Sequence, residues 1–427
     1  MKITFIEPRT TSANVYSKMS IPLLGPLYLG AILKKRGHTV EVYKENILSP
    51  DYARLDSDLI GISILTSTAK RGYEIAKKFP RERVIIGGPH ASLLPEEAIQ
   101  YARQVVIGEA EAVIADVVEG KNTSSFVHGV PIKNLDELPY PDFSLIRGIK
   151  LPLRVTPIST SRGCPHDCNF CSVTKVFGRT YRFRSARSVI GELTVKKNRF
   201  SFFCDDNFAA NPVRTKELLH LMIRNKIRGW ACQVRCDVIK DTQLVDLMAK
   251  AKCKYVCVGF ESVNQKTLEA YQKKQTVSLI KEAIRSFHKQ KIKVHGMFVL
   301  GSDEDSEKTV WETLKFSLKQ RIDTIQLMIL TPLPGTKIYN FLEMQKRIFT
   351  KDWSLYDGHH VVFNPNLLTA KELQLSVCKA YEKFYSFLRF LSLFVKMRFS
   401  NALFRFMGYM LVKKWKRQNM HLPWLAS

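Results

Sequence analysis

The sequence predicts an α/β protein in three parts. These are an N-terminal doubly wound unit with a parallel, Rossmann-like sheet, a partial barrel of six strand–helix units, and a mainly helical C-terminal region. Three observations predict it. Short apolar runs alternate with helix-period stretches from Lys2 to about Val118, the pattern of parallel strands joined by crossover helices. The alternation resumes at Val155 and continues to Leu330, with a polar word closing most strands. Beyond the barrel, Thr369–Arg389 reads as one long helix with Thr369 as cap and Glu372 three residues on, a capping-box pattern. The expected bounds are 1–135 for the wound unit, 136–151 for a linker, 152–345 for the barrel and 346–427 for the helical region.

In the wound unit, Lys2–Glu7 is an apolar strand ended by Pro8, and Leu23–Arg36 a helix closed by Gly37. Strands follow at 39–43, 59–65, 84–86 and 105–107, and helices at 68–79, 95–101 and 110–118. Ligands of such sheets bind beyond the carboxyl ends of the strands. Those ends are the loops at Pro8–Ser20, Thr66–Thr68, Gly87–His90 and Gly108–Glu109. Asn134-Leu-Asp-Glu-Leu-Pro139-Tyr-Pro141 is acidic and proline-rich, which suits a linker.

In the second unit, strands are expected at 155–160, 200–204, 231–235, 255–260, 294–300 and 324–330. Helices such as 215–225, 242–251 and 278–289 fall between them. Asp241 and Asp305 read as helix starts. The first strand feeds Ser161-Arg-Gly-Cys164-Pro-His-Asp-Cys168-Asn-Phe170-Cys171, which puts three cysteines on one short loop. Four cysteines would close a cluster for plain electron transfer, whereas three leave one iron open to a ligand. A zinc site with His166 as fourth ligand is the alternative reading of the same residues.

The protein has nine cysteines, an odd number, with none before Cys164. That argues against a disulfide framework and for a reducing, cytoplasmic compartment. The other six read as buried thiols. The N-terminus reads as a strand rather than a signal peptide, and no apolar run reaches bilayer-spanning length. The net charge of +27 suggests an anionic partner. From Lys379 onward there are ten Lys or Arg against one acidic residue, Glu382, interleaved with aromatics from Phe384 to Trp424. That suits an anionic membrane surface, hence a protein peripheral at the inner face of the membrane. It suits equally a helix covering the barrel mouth. A nucleic-acid partner is not favoured, because no compact binding module is visible.

The cysteine spacing, with Phe170 before the last cysteine, resembles the radical-SAM superfamily. Pro22-Leu-Leu-Gly-Pro-Leu-Tyr-Leu-Gly30, Gly37-His-Thr-Val40, Gly87-Gly-Pro-His90 and Gly108-Glu-Ala-Glu111 resemble the cobalamin-binding domain that precedes many of those enzymes. The Asp-x-His-x-x-Gly motif that gives cobalt a histidine is absent. Asp352–Pro365 is similar to the segment after the barrel in such proteins, the hopanoid methylases included.

The resemblance implies that Cys164, Cys168 and Cys171 hold a 4Fe–4S cluster whose open iron binds S-adenosylmethionine (SAM). One electron, from a flavodoxin or ferredoxin, then releases a 5′-deoxyadenosyl radical. It places Phe170, Asp205, Asp206, Asn207, Arg235, Glu261 and Ser262 at SAM, with Gly296 and the 327–330 strand against adenine. Gly87, Gly88, His90, Gly108 and Glu109 would lie at cobalamin, although for His90 a loop role bonded to backbone is the preferred reading. His359 and His360 are either proton carriers or structural. The implied reaction is cobalamin-dependent methylation of an unactivated carbon on a small hydrophobic, lipid- or isoprenoid-like substrate. Radical cyclisation, coupling or rearrangement without methyl transfer, and a non-catalytic iron–sulfur protein at a membrane, are the alternatives.

Overall fold

A computed structural model describes residues 1–10, 21–196, 200–395, 397 and 399–419. Most of the Pro8–Ser20 loop, and Trp424, lie outside the described residues. The first sheet contains β1 (Lys2–Glu7), β2 (Thr39–Lys44), β3 (Leu59–Ser63), β4 (Val84–Gly87), β5 (Gln104–Ile107) and β6 (Phe126–His128). Their order is β2-β1-β3-β4-β5-β6 and every pairing is parallel. β1 is buried along nearly its whole length, as a strand covered on both faces must be. β6 was not expected, because three residues carry too little pattern to read as a strand.

The second sheet begins with β7 (Thr156–Ile158). A short hairpin follows, made by β8 (Ser161–Arg162) and β9 (Arg182–Phe183). Next come β10 (Ser201–Phe203), β11 (Trp230–Val234), β12 (Cys253–Glu261), β13 (Lys293–Leu300) and β14 (Thr324–Ile329). The order β14-β13-β12-β11-β10-β7 is sequential and all parallel, an open barrel of six strands as expected. The two sheets meet at their carboxyl ends. One buried cluster joins Ile62, Ile64, Tyr73 and Ile86 of the first unit to Tyr271, Val299, Leu330 and Phe363 of the second. Trp353 Nε1 adds hydrogen bonds to both oxygens of Glu97 at 3.0 Å.

β14 is an edge strand, and the helix Ala370–Phe384 covers it. Thr369 and Glu372 form the expected capping box. Two hydroxyls from this segment stand in for a seventh strand. Tyr381 Oη accepts from Leu327 N at 2.7 Å, and Tyr385 Oη accepts from Ile325 N and donates to Ile325 O. Anchoring Tyr385 also ends the helix there, so the expected single helix to Arg389 is broken. A second helix, Phe387–Val395, and a third, Phe399–Asn419, complete the tail. Not all tail cations face water. Arg405 is buried, lies 3.4 Å from the centre of the Phe384 ring and donates to Phe384 O and Ile322 O.

His360 is buried between Asp357 Oδ1 at 2.9 Å and Asn419 Oδ1 at 3.0 Å, so it fastens the last helix to the segment leaving the barrel. His359 is buried against Asp357 O. Both take the structural role.

Candidate active site

The cysteine loop is held at its base by the β8–β9 hairpin. Gly163 turns the chain there at φ +82°, and a Cβ would stand 2.4 Å from Thr180 O. Within the loop, Cys171 N donates to Cys168 O at 3.2 Å, and the backbone N–H groups of His166 and Val173 reach the Cys164 and Cys171 sulfurs. All three cysteines are half-buried. Burial pushes the Cys171 thiol up to about 12 and raises Cys164, and in both the neighbouring cysteine sulfurs add to the rise.

Among the described residues no three His, Cys, Asp or Glu side chains converge tightly enough for one metal ion. The three cysteines are thus not drawn together around one ion, with or without His166. Three sulfur donors on one short loop, two of them supplied with backbone N–H groups, are a donor set that fits an iron–sulfur cluster.

The polar words at the strand ends divide into two groups. Asp205 is fully enclosed and works inside the protein. Its Oδ1 accepts from Thr160 N at 2.6 Å and Ser161 N at 2.8 Å, and its Oδ2 accepts from the Thr160 hydroxyl at 2.6 Å. The expectation that it touches a ligand is corrected: it anchors the chain entering the cysteine loop. Ser262 is likewise buried, and its Oγ accepts from Asn264 N at 3.0 Å to hold a turn. Asp305 receives Gly301 N, Ser302 N and the Thr267 hydroxyl, while Ser306 caps the helix. Asp241 caps its helix as expected. A Cβ on Gly296 would meet the Phe260 ring at 2.9 Å, so that glycine serves packing, not adenine.

The other strand-end polar residues are placed as follows. Asp206 is open to water yet closely surrounded by protein. Burial and the adjacent Asp205 push its carboxyl up to about 7, and its charge is felt at Cys164 and Cys171. Asn207 is buried beside it. Arg235, at the end of β11, donates Nη2 to Lys273 O at 2.9 Å. Glu261, at the end of β12, adopts φ +61° and pairs with Lys273 Nζ at 2.6 Å. Lys273 was not expected. In sequence it sits in Gln272-Lys-Lys-Gln275 and reads as a solvated turn. Phe170 packs edge-on to Tyr271, with centroids 5.0 Å apart.

In the first unit, Gly108 stands at φ +83° at the carboxyl end of β5, with open space where a Cβ would be. A cradle of that kind lets a large flat ligand approach the backbone, and with Gly87 beside it the strand ends fit a corrin. Three expected contacts are corrected. Gly88 is required because a Cβ would lie 2.7 Å from Ile64 O, which is packing. His90 is fully buried and its partners are side chains, Thr66 Oγ1 and Glu97 Oε1 each at 3.3 Å, not the backbone partners of the preferred reading.

Glu109 faces the barrel instead. It accepts from Arg162 Nη1 at 2.7 Å and from both terminal nitrogens of Arg182, while Glu111 takes Arg162 Nη2 at 2.5 Å. Arg162 lies in the cysteine signature itself, but nothing in a linear sequence pairs it with residues some fifty positions earlier. A groove of about 1150 Å³ lies elsewhere, along Tyr140, Phe143 and Leu153, and no cysteine-loop residue lines it.

Comparison with known proteins adds two family matches and several relatives. Residues 158–317 match the radical SAM superfamily and residues 13–118 the B12 binding domain. The chain is similar to bacteriochlorophyllide d C-12(1)-methyltransferase of Chlorobaculum tepidum, at 31% identity over 404 residues, 90% of this chain and 87% of that one. It is similar to the anaerobic magnesium-protoporphyrin IX monomethyl ester cyclase of Cereibacter sphaeroides at 26% identity, over 90% of this chain and 70% of that one. It is also similar to hopanoid C-3 methylase of Methylococcus capsulatus at 24% identity, over 90% and 80%. Among solved structures, the fold matches the radical S-adenosylmethionine methyltransferase TsrM of Kitasatospora setae, with cobalamin and a 4Fe–4S cluster bound. The TM-score is 0.65 at 16% identity, over 81% of this chain and 75% of that one.

Proposed function

The chain belongs to the radical-SAM superfamily, in the group built with a B12-binding domain, and from that premise we propose that it methylates an unactivated carbon of a hydrophobic substrate. The observation that carries the reading is the three-sulfur loop facing the carboxyl ends of a corrin-type sheet across one shared core. Cys164, Cys168 and Cys171 would hold the 4Fe–4S cluster, Gly87 and Gly108 would border cobalamin, and Asp206 with Asn207 would receive the SAM ammonium group. Arg235 and Glu261 would orient its carboxylate and ribose, and Phe170 would wall the cluster from water. When bound, these cofactors supply one-electron cleavage of SAM and a methyl group for transfer; a low-potential flavodoxin or ferredoxin would supply the electron. The protein's own part is to position two reactive centres and keep water out. Domain bounds of 1–135, 136–151, 152–345 and 346–427 are proposed with it, supported by the last strand of the first sheet at His128 and the first of the second at Thr156.

The test is anaerobic reconstitution with iron, sulfide and hydroxocobalamin, followed by incubation with reductant and SAM. We expect about four irons per chain, bound corrin and 5′-deoxyadenosine. Replacing any one of the three cysteines with alanine is expected to remove the iron and all SAM cleavage. A cysteine variant that keeps both would overturn the cluster assignment. Likeness to the cyclase favours ring formation as a second reading. Transfer of label from methyl-labelled SAM to an extracted lipid or tetrapyrrole decides for methylation. Cleavage of SAM with a product lacking label decides for ring formation.

The tail adds a proposal about partner and location. Among the described residues no helix is long and apolar enough to cross a membrane. Yet Leu388, Val395 and Met397 are each at least 75% exposed, and Phe394, Leu403 and Met407 lie open near them. Lys413, Lys414 and Arg417 are exposed on the last helix, and the sequence has no acidic residue after Glu382. Apolar side chains flanked by cations suit the interface of an anionic bilayer, where a hydrophobic substrate would also reside. The full chain is expected to sediment with phosphatidylglycerol vesicles and to be released by salt or by Leu388→Glu with Phe394→Glu. Equal sedimentation with neutral phosphatidylcholine vesicles, or none with either, overturns this.

A further inference from the structure

We propose that Lys273 is the fixed cation that sets the reduction potential of the cluster on the cysteine loop; the inference rests on the cysteine assignment above.

The segment after β12 is the seat of the cysteine loop. Asn169 Nδ2 donates to Ala270 O at 2.7 Å, and Phe170 packs on Tyr271. The seat is itself rigid. Gln275 Nε2 donates to Gly259 O and Phe260 O, and Arg235 Nη2 holds the Lys273 carbonyl. Lys273 is only 7% exposed, and a lysine is almost never buried unless paired. Its partner is Glu261, and the pair lies directly over Gly259. A Cβ there would stand 2.5 Å from Glu261 Oε1 and 3.0 Å from Lys273 Nζ, so the strand leaves a notch for this ion pair. Glu261 reaches it from left-handed backbone at φ +61°, a conformation costing a non-glycine residue about 1–3 kcal/mol.

Cys168 lies within electrostatic range of Lys273, and Lys273 is among the cations felt by His166. Arg235 and Lys274 are felt at His166 as well, so the ammonium adds to a positive field at the loop.

Nothing in the SAM contacts assigned above uses Lys273, so its burial calls for another reason. A four-iron cluster that gains one electron becomes more negative by one charge. A fixed positive charge in a low-dielectric setting stabilises the reduced form and raises the potential, and a fixed negative charge lowers it. Lys273 and Glu261 therefore act with opposite sign.

The experiment is an anaerobic titration of the reconstituted full-length protein without SAM. Titanium(III) citrate is the reductant, and the reduced cluster is followed by electron paramagnetic resonance. Iron per chain is measured on every sample. We expect Lys273→Gln to lower the midpoint potential, Lys273→Arg to leave it at the wild-type value, and Glu261→Gln to raise it. A Lys273→Gln potential equal to wild type overturns the inference, as does a shift of both neutral variants in one direction, which would mark disturbed packing. If Lys273→Gln loses its iron, Glu261→Gln still decides: a potential unmoved or lowered overturns it. A wild-type protein with no reducible cluster overturns the cysteine assignment and this inference together, whereas an unshifted potential on an intact cluster overturns this inference alone.

Discussion

Asp205→Ala is expected to destabilise the protein by about 3–5 kcal/mol and to deprive the cysteine loop of its iron. Asp205 takes two backbone N–H groups and a hydroxyl from Thr160 and Ser161, the residues that lead into the loop. Behind them the buried Arg214 donates Nη1 to Thr160 Oγ1 and Nη2 to Thr160 O. Alanine would leave two buried N–H groups without acceptors, each costing about 1–3 kcal/mol, and a buried guanidinium without its counter-charge.

Asparagine separates these effects. Its oxygen can still take both N–H groups, so the charge and the one acceptor for the Thr160 hydroxyl are lost while the backbone anchor stays. Burial raises the Asp205 pKa despite its donors, so the charge itself is held at a cost. Asp205→Asn should accordingly be milder than Asp205→Ala and retain the cluster. Denaturant unfolding of the apoprotein together with iron analysis checks both. An alanine variant within about 1 kcal/mol of wild type that carries full iron would mean that the loop entrance is held by something else.

The two adjacent carboxylates illustrate what a sequence conveys about a site. Asp205 and Asp206 are equivalent as letters, and the family motif covers both. Both lie just past β10, where the chain turns the first into the protein and leaves the second open to water. That choice depends on where β10 ends, which is the least legible property of a strand. The alternation of strands and helices survives translation into structure because it is written many times over: all six barrel strands and five of six first-unit strands are where the apolar runs stand. The exceptions are short or tertiary. β6 and the β8–β9 hairpin are two or three residues per strand, and the break at Tyr385 exists because its hydroxyl reaches Ile325 some sixty positions earlier. The cysteine loop was readable because its ligands are consecutive. Lys273, Arg162 and Arg182 were not, because each gains its meaning from a partner in another element.

Those two arginines carry the second large effect. Glu109→Ala is expected to uncouple the two domains, lowering the stability of the assembly by about 3–5 kcal/mol and splitting one unfolding transition into two. Arg162 and Arg182 project from β8 and β9, the strands that clamp the cysteine loop, onto a carboxylate next to Gly108 in the corrin cradle. The contact is thus a bolt between the supports of the two cofactors. Burial alone would raise the Glu109 carboxyl, but Arg182 and Arg162 outweigh it and hold the pKa below its usual value.

A depressed carboxyl contributes stability that is fully present above the unfolded value, about 4.3, and is lost as pH falls through the lowered folded value. Acid should therefore part the domains of the wild type, and Glu109→Ala should already behave so at neutral pH. Calorimetry between neutral pH and about pH 3 is the measurement, with bound corrin and iron read at neutral pH. The variant should show two transitions throughout, with bound iron kept and corrin held less tightly, since the cysteines are intact and the cradle has lost its brace. Reacting centres displaced by about 1 Å cost on the order of 100-fold in rate, so methyl transfer should fall far more than SAM cleavage, which needs the barrel alone. A single transition at the wild-type temperature would mean that the shared apolar core, not the ion pairs, sets how the domains stand.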